Sequence, residues 1–134
     1  TGRCYWEVRW RGVVYISVSY RRIRRKGDSR DCWFGRNDQS WSLSCSYRHG
    51  YSVRHNNRET SISSSSVSYR VAVYVDCPAG ILSFYRVSSD SLIHLHTFLT
   101  HWSTSTPSTP HSLNHCILAL GSGPVLVPQC FCAD

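Results

Sequence analysis

Methionine is absent from the 134 residues, only 8 acidic side chains stand against 15 Lys and Arg, and no apolar run approaches the length of a membrane-spanning helix. Each absence excludes something. With no Met and an abrupt start at Thr1, the chain reads as a piece of a longer, multidomain protein. The shortage of acid leaves a formal charge of +7, which permits non-specific attraction to nucleic acid or anionic membrane and is silent on fold. A spanning helix needs about 20 apolar residues, and the single apolar run near the end is broken by Gly121-Ser122-Gly123-Pro124. The seven cysteines are odd in number and lack C-x-x-C spacing, and no Asn-X-Ser/Thr acceptor occurs. That combination fits a cytoplasmic protein with reduced thiols better than a secreted disulfide scaffold.

The chain does hold aromatic residues, with five Trp and eight Tyr. It is too apolar to be a disordered tail and is long enough for one domain with a real core. Period-two alternation dominates and helical periodicity is nearly missing. In CYWEVRW, Cys4, Trp6, Val8 and Trp10 share a face opposite Tyr5, Glu7 and Arg9. Gly12 punctuates, and VVYISVSY places Val14, Ile16 and Val18 on one face, so the two runs read as a hairpin. SWSLSCS sets Trp41, Leu43 and Cys45 together, and YSVRHN is a further strand. His55 to Ser66 turns polar and reads as a surface loop. In RVAVYVDCPAGILSFYRV, Val71, Val73 and Val75 alternate inward, Asp76 to Gly80 makes the turn, and Leu82 and Phe84 return on the inward face. Short strands with regular turns predict an all-β fold of two packed antiparallel sheets. Trp6, Trp10, Trp41, Val71, Val73, Val75 and Phe84 are assigned to its core.

Catalytic and metal chemistry find little support. Cys130, Cys132, His111 and His115 match no zinc spacing. His94 and His96, two apart on a strand, suit a ligand pair but equally a half-exposed strand face. Asp31, Cys32 and His55 lack a nucleophile elbow or a base-orienting signature. No catalytic residue, metal or cofactor is expected, and the chain is read as a non-enzyme. More informative is the basic run Arg21, Arg22, Arg24, Arg25, Lys26 and Arg30 beside Tyr20, in a loop between strands. It is a solvated loop, a contact for an acidic protein, or a contact for phosphates.

GRCYWEV at Gly2 to Val8, the step Trp41-Ser42-Leu43, and DCPAGILSFY at Asp76 to Tyr85 resemble the SPRY domain, a β-sandwich recognition module. TGRCYWEV, HNNRET, SSVSYRVAVYVDCPAG and SFYRVSSD are similar to the SPRY modules that close fish NACHT/leucine-rich-repeat receptors and some fish tripartite-motif proteins. The resemblance covers residues 1–98. The PRY segment that usually precedes is absent, and Arg9 stands where the family usually carries an acidic residue. The resemblance implies a ligand site on loops at one end of the sandwich. Tyr47, Arg48, Tyr51, Arg54 and His55 are of types that dominate binding hot spots, and with Tyr20 and the basic loop they form the expected recognition surface.

Residues 99–134 depart from this pattern: a Ser/Thr/Pro-rich stretch, then a broken apolar tail. Reading the last base of each codon with the first two of the next, His115/Cys116 and Phe131/Cys132 must each give Leu. Every junction from Ser108/Thr109 to Cys132/Ala133 permits the family's closing strands in that frame. Junctions Phe98/Leu99 to Pro107/Ser108 permit SDSLIHLHTF of residues 89–98 a second time, with Val for Ile93, nine codons and two bases after the first. A tandem duplication of that length shifts the frame. Residues 99–134 are therefore expected to be a shifted reading of the closing strands, leaving the sandwich without them, with a sheet edge open and Val73 and Phe84 uncovered. The opposing reading is a genuine linker and tail.

The expected function is a non-catalytic protein-interaction module that recognises a protein ligand for an intracellular innate-immune receptor or ubiquitin ligase. The alternatives are a basic nucleic-acid-binding domain and a truncated product without stable function.

Overall fold

The computed structural model describes residues 3–20, 34–38, 40–64, 66–76 and 78–100, together with the strand backbone of 116–121 and 127–129. Among the described residues ten strands are formed: β1 (Arg3–Arg9), β2 (Val13–Tyr20), β3 (Ser40–Ser46), β4 (Gly50–His55), β5 (Arg58–Ile62), β6 (Arg70–Asp76), β7 (Ile81–Ser88), β8 (Ser91–Leu99), β9 (Cys116–Gly121) and β10 (Val127–Gln129). They make two antiparallel sheets, one in the order β1-β6-β7-β8 and one in the order β10-β9-β2-β3-β4-β5. Among the described residues no helix is long and apolar enough to cross a membrane. The chain divides into two compact units that separate these sheets, with a boundary between Trp10 and Arg11.

In the four-stranded unit the alternation predicted from sequence is realised. Val71, Val73, Val75, Leu82 and Phe84 are fully buried, and Cys4, Val8 and Trp10 nearly so. Each such side chain contributes about 1.5–3 kcal/mol. Trp6, assigned to the core, is only half-buried. Opposite these residues Tyr5, Glu7 and Arg9 face outward, and Glu7 accepts an ion-paired hydrogen bond from Arg70 across the β1–β6 pair. The six-stranded unit buries Ile16, Val18, Leu43, Cys45 and Val53 in the same way. Its central β2 also buries Ser17 and Ser19, and the Ser17 hydroxyl donates to Ser42 Oγ of β3 at 2.9 Å.

Three expectations change. β1 and β2 are not a hairpin: β1 pairs with β6 and β2 with β3 and β9. Alternation fixes which face of a strand is buried, not which strand it pairs with. The Trp10 N–H donates to Tyr69 O, extending β1's alignment toward β6, and Gly12 then turns the chain at φ +72°. Second, the supposed loop after His55 contains β5, folded back on β4 through Asn56 and Asn57 at φ 51° and 62°. Consecutive left-handed residues are what a tight hairpin turn demands, and Asn tolerates them.

Third, the edge beside β2 is not left open, and Val73 and Phe84 are fully buried. Residues 116–121 pair with β2 from Tyr15↔Gly121 to Tyr20↔Cys116, and Val127–Gln129 pairs with β9. A short apolar run such as CILALG is a ready partner for unpaired strand N–H and C=O groups.

Candidate functional site

Of the eleven residues expected at the recognition surface, those described divide, Tyr51 apart, between two ends of the six-stranded sheet. Arg21, Arg22, Arg24, Arg25 and Lys26 lie outside the described residues. Tyr20 closes β2 opposite Cys116, and the chain re-enters description at Phe34 before β3 begins at Ser40. Both flanks of the basic loop therefore sit at the sheet end that also holds Arg54, His55 and the Asn56–Asn57 turn. Tyr47 and Arg48, both exposed, occupy the β3–β4 turn at the other end. β4 is six residues long, so at about 3.3 Å per residue the two groups stand on the order of 15 Å apart. Tyr51 belongs to neither group, because it is 2% exposed, between Cys45 and Ile62.

The end beside the basic loop is braced by backbone. Gly35 N–H donates to Ser40 Oγ, and the Ser40 hydroxyl donates to Asn37 Oδ1, each at 2.8 Å. From the opposite hairpin, Asn56 N–H donates to Asn37 O and Asn57 N–H to Gly35 O, each at 2.9 Å. Gly35 has φ +79°, and a Cβ placed on it would stand 3.1 Å from Arg54 O, Arg54 Cβ and Ser42 Cβ. The return segment is thus locked against β4 by a position only glycine fits without strain. His55 stacks flat on Trp41, ring centroids 4.7 Å apart and planes 7° off parallel. Its Nδ1–H donates to Ser40 O at 2.7 Å, which fixes the tautomer. Arg54 is engaged as well: Nη2 meets Glu59 Oε2 at 2.6 Å across the β4–β5 pair. Here the sequence reading missed Gly35, Asn37, Ser40 and the Asn-Asn turn. Only the Asn-Asn pair after the alternating run YSVRH carried a signal.

The remaining chemistry is structural. At the β6–β7 turn Asp76 accepts from Ala79 N–H at 3.1 Å, Tyr74 Oη at 3.2 Å and Arg3 Nε at 3.1 Å. Burial acts to raise its carboxyl, but the Ala79, Tyr74 and Arg3 donors outweigh it and hold the group below the usual range. Burial, then its proximity to His94, lowers the His96 imidazole. The two histidines do not form a ligand pair on one strand face. Tyr85 is opposite His94 and Phe84 opposite His96, leaving Leu95 as an extra residue in a bulge, so the pair is referred to opposite faces of β7. His94 instead bonds Thr97 Oγ1 through Nε2 at 2.7 Å. Burial pushes the Cys45 thiol far up, which makes it inert. Among the described residues no group of three His, Cys, Asp or Glu side chains could hold a metal ion. Cys32, Asp31, His111, His115, Cys130 and Cys132 lie outside the described residues.

Residues 3–106 match the family model described as SPRY domain. The chain is 43% identical over 101 residues to stonustoxin subunit beta of Synanceia horrida, covering 75% of this chain and 14% of that protein. It is 33% identical over 131 residues to tripartite motif-containing protein 14 of Mus musculus, covering 96% of this chain and 28% of that protein. Among solved structures it is similar to the stonustoxin structure, with TM-score 0.75 and 36% identity over 93% of this chain and 19% of the other. The chain thus spans well under a third of these relatives. The expected SPRY-type all-β fold and the tripartite-motif resemblance both stand on these similarities.

Proposed function

Because the chain belongs to the SPRY domain family, a family of protein-interaction modules, we propose that it recognises a protein ligand inside the cell for an innate-immune receptor or a ubiquitin ligase. It performs no catalysis of its own. Docking is through the basic loop after Tyr20 together with Arg54 and His55, and Tyr47 and Arg48 form a second, separate patch. The observation that carries this reading is the braced sheet end: the return of the basic loop is tied to the β4–β5 turn by two backbone hydrogen bonds and is itself held in shape by two more through Ser40 Oγ. A fixed base lets the loop present charge without losing its anchor, and rigid presentation lowers the ordering cost of binding. Buried thiols at Cys4 and Cys45 agree with a reducing compartment.

Proximity labelling in cells tests the reading, comparing the chain with a variant in which Arg21, Arg22, Arg24, Arg25 and Lys26 become Ser and with a Tyr47→Ala/Arg48→Ala variant. The expected result is a set of neighbouring proteins lost with the basic loop and insensitive to nuclease. An unchanged set would overturn the assignment of the loop. Neighbours released by nuclease, with affinity for a labelled duplex oligonucleotide that falls steeply with salt, would favour nucleic acid instead.

We also propose that residues 99–134 are a shifted-frame reading of the closing strands; the family match stops at residue 106, within the Ser/Thr/Pro stretch. Sequencing transcript and locus across Asp90 to Leu113 decides it. A coding sequence that cannot be translated into the duplicate SDSLVHLHTF overturns the proposal.

A further inference from the structure

Two side chains of the Asp, Glu, Lys and Arg class are buried among the described residues, Asp76 and Arg86, each 7% exposed. Their surroundings differ. Asp76 accepts from Ala79 N–H, Tyr74 Oη and Arg3 Nε, so its charge is met by three donors. Arg86 continues the inward face of β7 after Leu82 and Phe84. It is opposite Val71 of β6 and Ile93 of β8, and Val71 is in turn opposite Val8 of β1, so the row is aliphatic on both sides. Arg86 Nε is a buried donor that meets no acceptor. The arginine–carboxylate pairs among the described residues engage Arg3, Arg54 and Arg70 and occupy Asp76, Glu59 and Glu7. Asp90, the acid of the β7–β8 turn, is exposed, and among the described residues no ion pair joins it to Arg86. A guanidinium cannot shed its proton to escape such a setting, and a buried charge left uncompensated is strongly destabilising.

We propose that Arg86 anchors an oxyanion site, in which a carboxylate or phosphate group accepts from the Arg86 guanidinium. The class of ligand follows from what Arg86 lacks. A water or a carbonyl would satisfy Nε and leave the charge uncompensated, whereas an oxyanion does both. The planar guanidinium matches the paired oxygens of a carboxylate or phosphate, and such charge-assisted bonds gain strength where water is excluded. The approach is set by the topology. β8 is the edge of its sheet, so Arg86 stands one strand spacing, about 4.8 Å, inside that edge. Its β8 neighbour Ile93 is 39% exposed, and the anion reaches the guanidinium over this side chain. The formal charge of +7 draws anions toward the chain. This inference does not depend on the ligand reading above, which uses the other sheet.

Nitrogen-15 NMR of the full chain tests it, following the Arg86 Nε–H resonance, assigned through the residue's own backbone amide. Sodium phosphate and, separately, sodium acetate are titrated at pH 7 with ionic strength held constant by chloride. The expected result is a saturable movement of that resonance, half-complete near about 1 mM. A tighter acetate arm assigns a carboxylate as the group, and a tighter phosphate arm assigns a phosphate. Arg86→Met removes the uncompensated charge and should fold at least as well, checked by Tm. It should also lose the rise in Tm that phosphate gives the unaltered chain. Arg86→Lys keeps the charge without the planar fork and should weaken binding about tenfold or more. An Nε–H resonance indifferent to both anions would overturn the proposal. So would a rise in Tm with phosphate that survives in Arg86→Met, which would mean an adventitious ion only. A resonance that moves as far in Asp90→Asn as with either anion would make Asp90 the partner and overturn it equally.

Discussion

At the β6–β7 turn, Asp76 gathers the Ala79 amide, the Tyr74 hydroxyl and Arg3 Nε onto one carboxylate, all from its own sheet. At the β4–β5 turn no carboxylate among the described residues does this work. Asn56 and Asn57 take left-handed φ, and their amides reach across to Asn37 and Gly35. The first turn holds itself with side-chain chemistry drawn from Tyr74 to Ala79 and from Arg3 of the neighbouring strand. The second borrows its shape from a segment about twenty residues earlier in the chain, the segment by which the basic loop returns. Rigidity at this end of the six-stranded sheet is therefore shared, and a change in the loop's base is felt at the hairpin tip.

The largest effect expected lies beneath the self-held turn. Phe84 is fully buried and opposite Val73 in the β6–β7 register, so Phe84→Ala should cost about 3–5 kcal/mol. Against a whole-domain stability of about 5–15 kcal/mol, chemical denaturation should show a domain close to unfolding. Next comes the borrowed turn. Gly35→Ala adds a Cβ at 3.1 Å from the Arg54 carbonyl oxygen and imposes a left-handed φ on alanine, a penalty of about 1–3 kcal/mol. If the second turn leans on the return segment as described, amide exchange at Asn56 and Asn57 should accelerate in this variant while exchange around Ala79 stays as it was.

Asp76→Asn sharpens the contrast through pH. The folded-state carboxyl titrates below its ordinary value near 3.9, so the unfolded chain binds more protons in the window between the two. The contribution is fully present above about pH 4 and is lost as pH falls through the lower, folded value. Thermal denaturation between pH 6 and pH 2.5 should show Asp76→Asn less stable at the upper end, by about 1–2 kcal/mol, with the gap closing at the lower end. A gap that does not narrow at all between pH 6 and pH 2.5 would mean the turn does not depend on the ionised carboxylate.

The same contrast explains what sequence could reveal. DCPAGILSFY announced its hairpin because turn residues, alternation and partner strand are contiguous, and Val71, Val73, Val75, Leu82 and Phe84 all proved buried as read. The β1–β2 pairing and the polar loop after His55 misled, because alternation is blind to the partner and β5, RETSI, has no buried face of its own to alternate. Tyr51 was misassigned to the surface because residue type favours hot spots while position favours the core. The brace of Gly35, Asn37 and Ser40 was illegible, since its bonds join residues whose proximity only the folded sheet creates. The bulge at Leu95 is a similar case: a period of two predicts one face for His94 and His96, and one inserted residue separates them.

The smallest effect concerns whether side-chain charge contributes to the borrowed turn at all. Arg54 and Glu59 are direct cross-strand partners on β4 and β5, joined at 2.6 Å, yet their side chains are 28% and 50% exposed. Solvent screens such a pair, and exposed ion pairs couple by about 0.2–1 kcal/mol. Arg54 also approaches Asn57 Oδ1 at 3.5 Å, too long to add much. A double-mutant cycle with Arg54→Ala and Glu59→Ala should therefore return a coupling below about 1 kcal/mol that shrinks further in 0.5 M salt. A coupling above about 2 kcal/mol, insensitive to salt, would mean that the ion pair and not the Gly35–Asn37 backbone fixes the hairpin, and the two turns would then be held by the same kind of force.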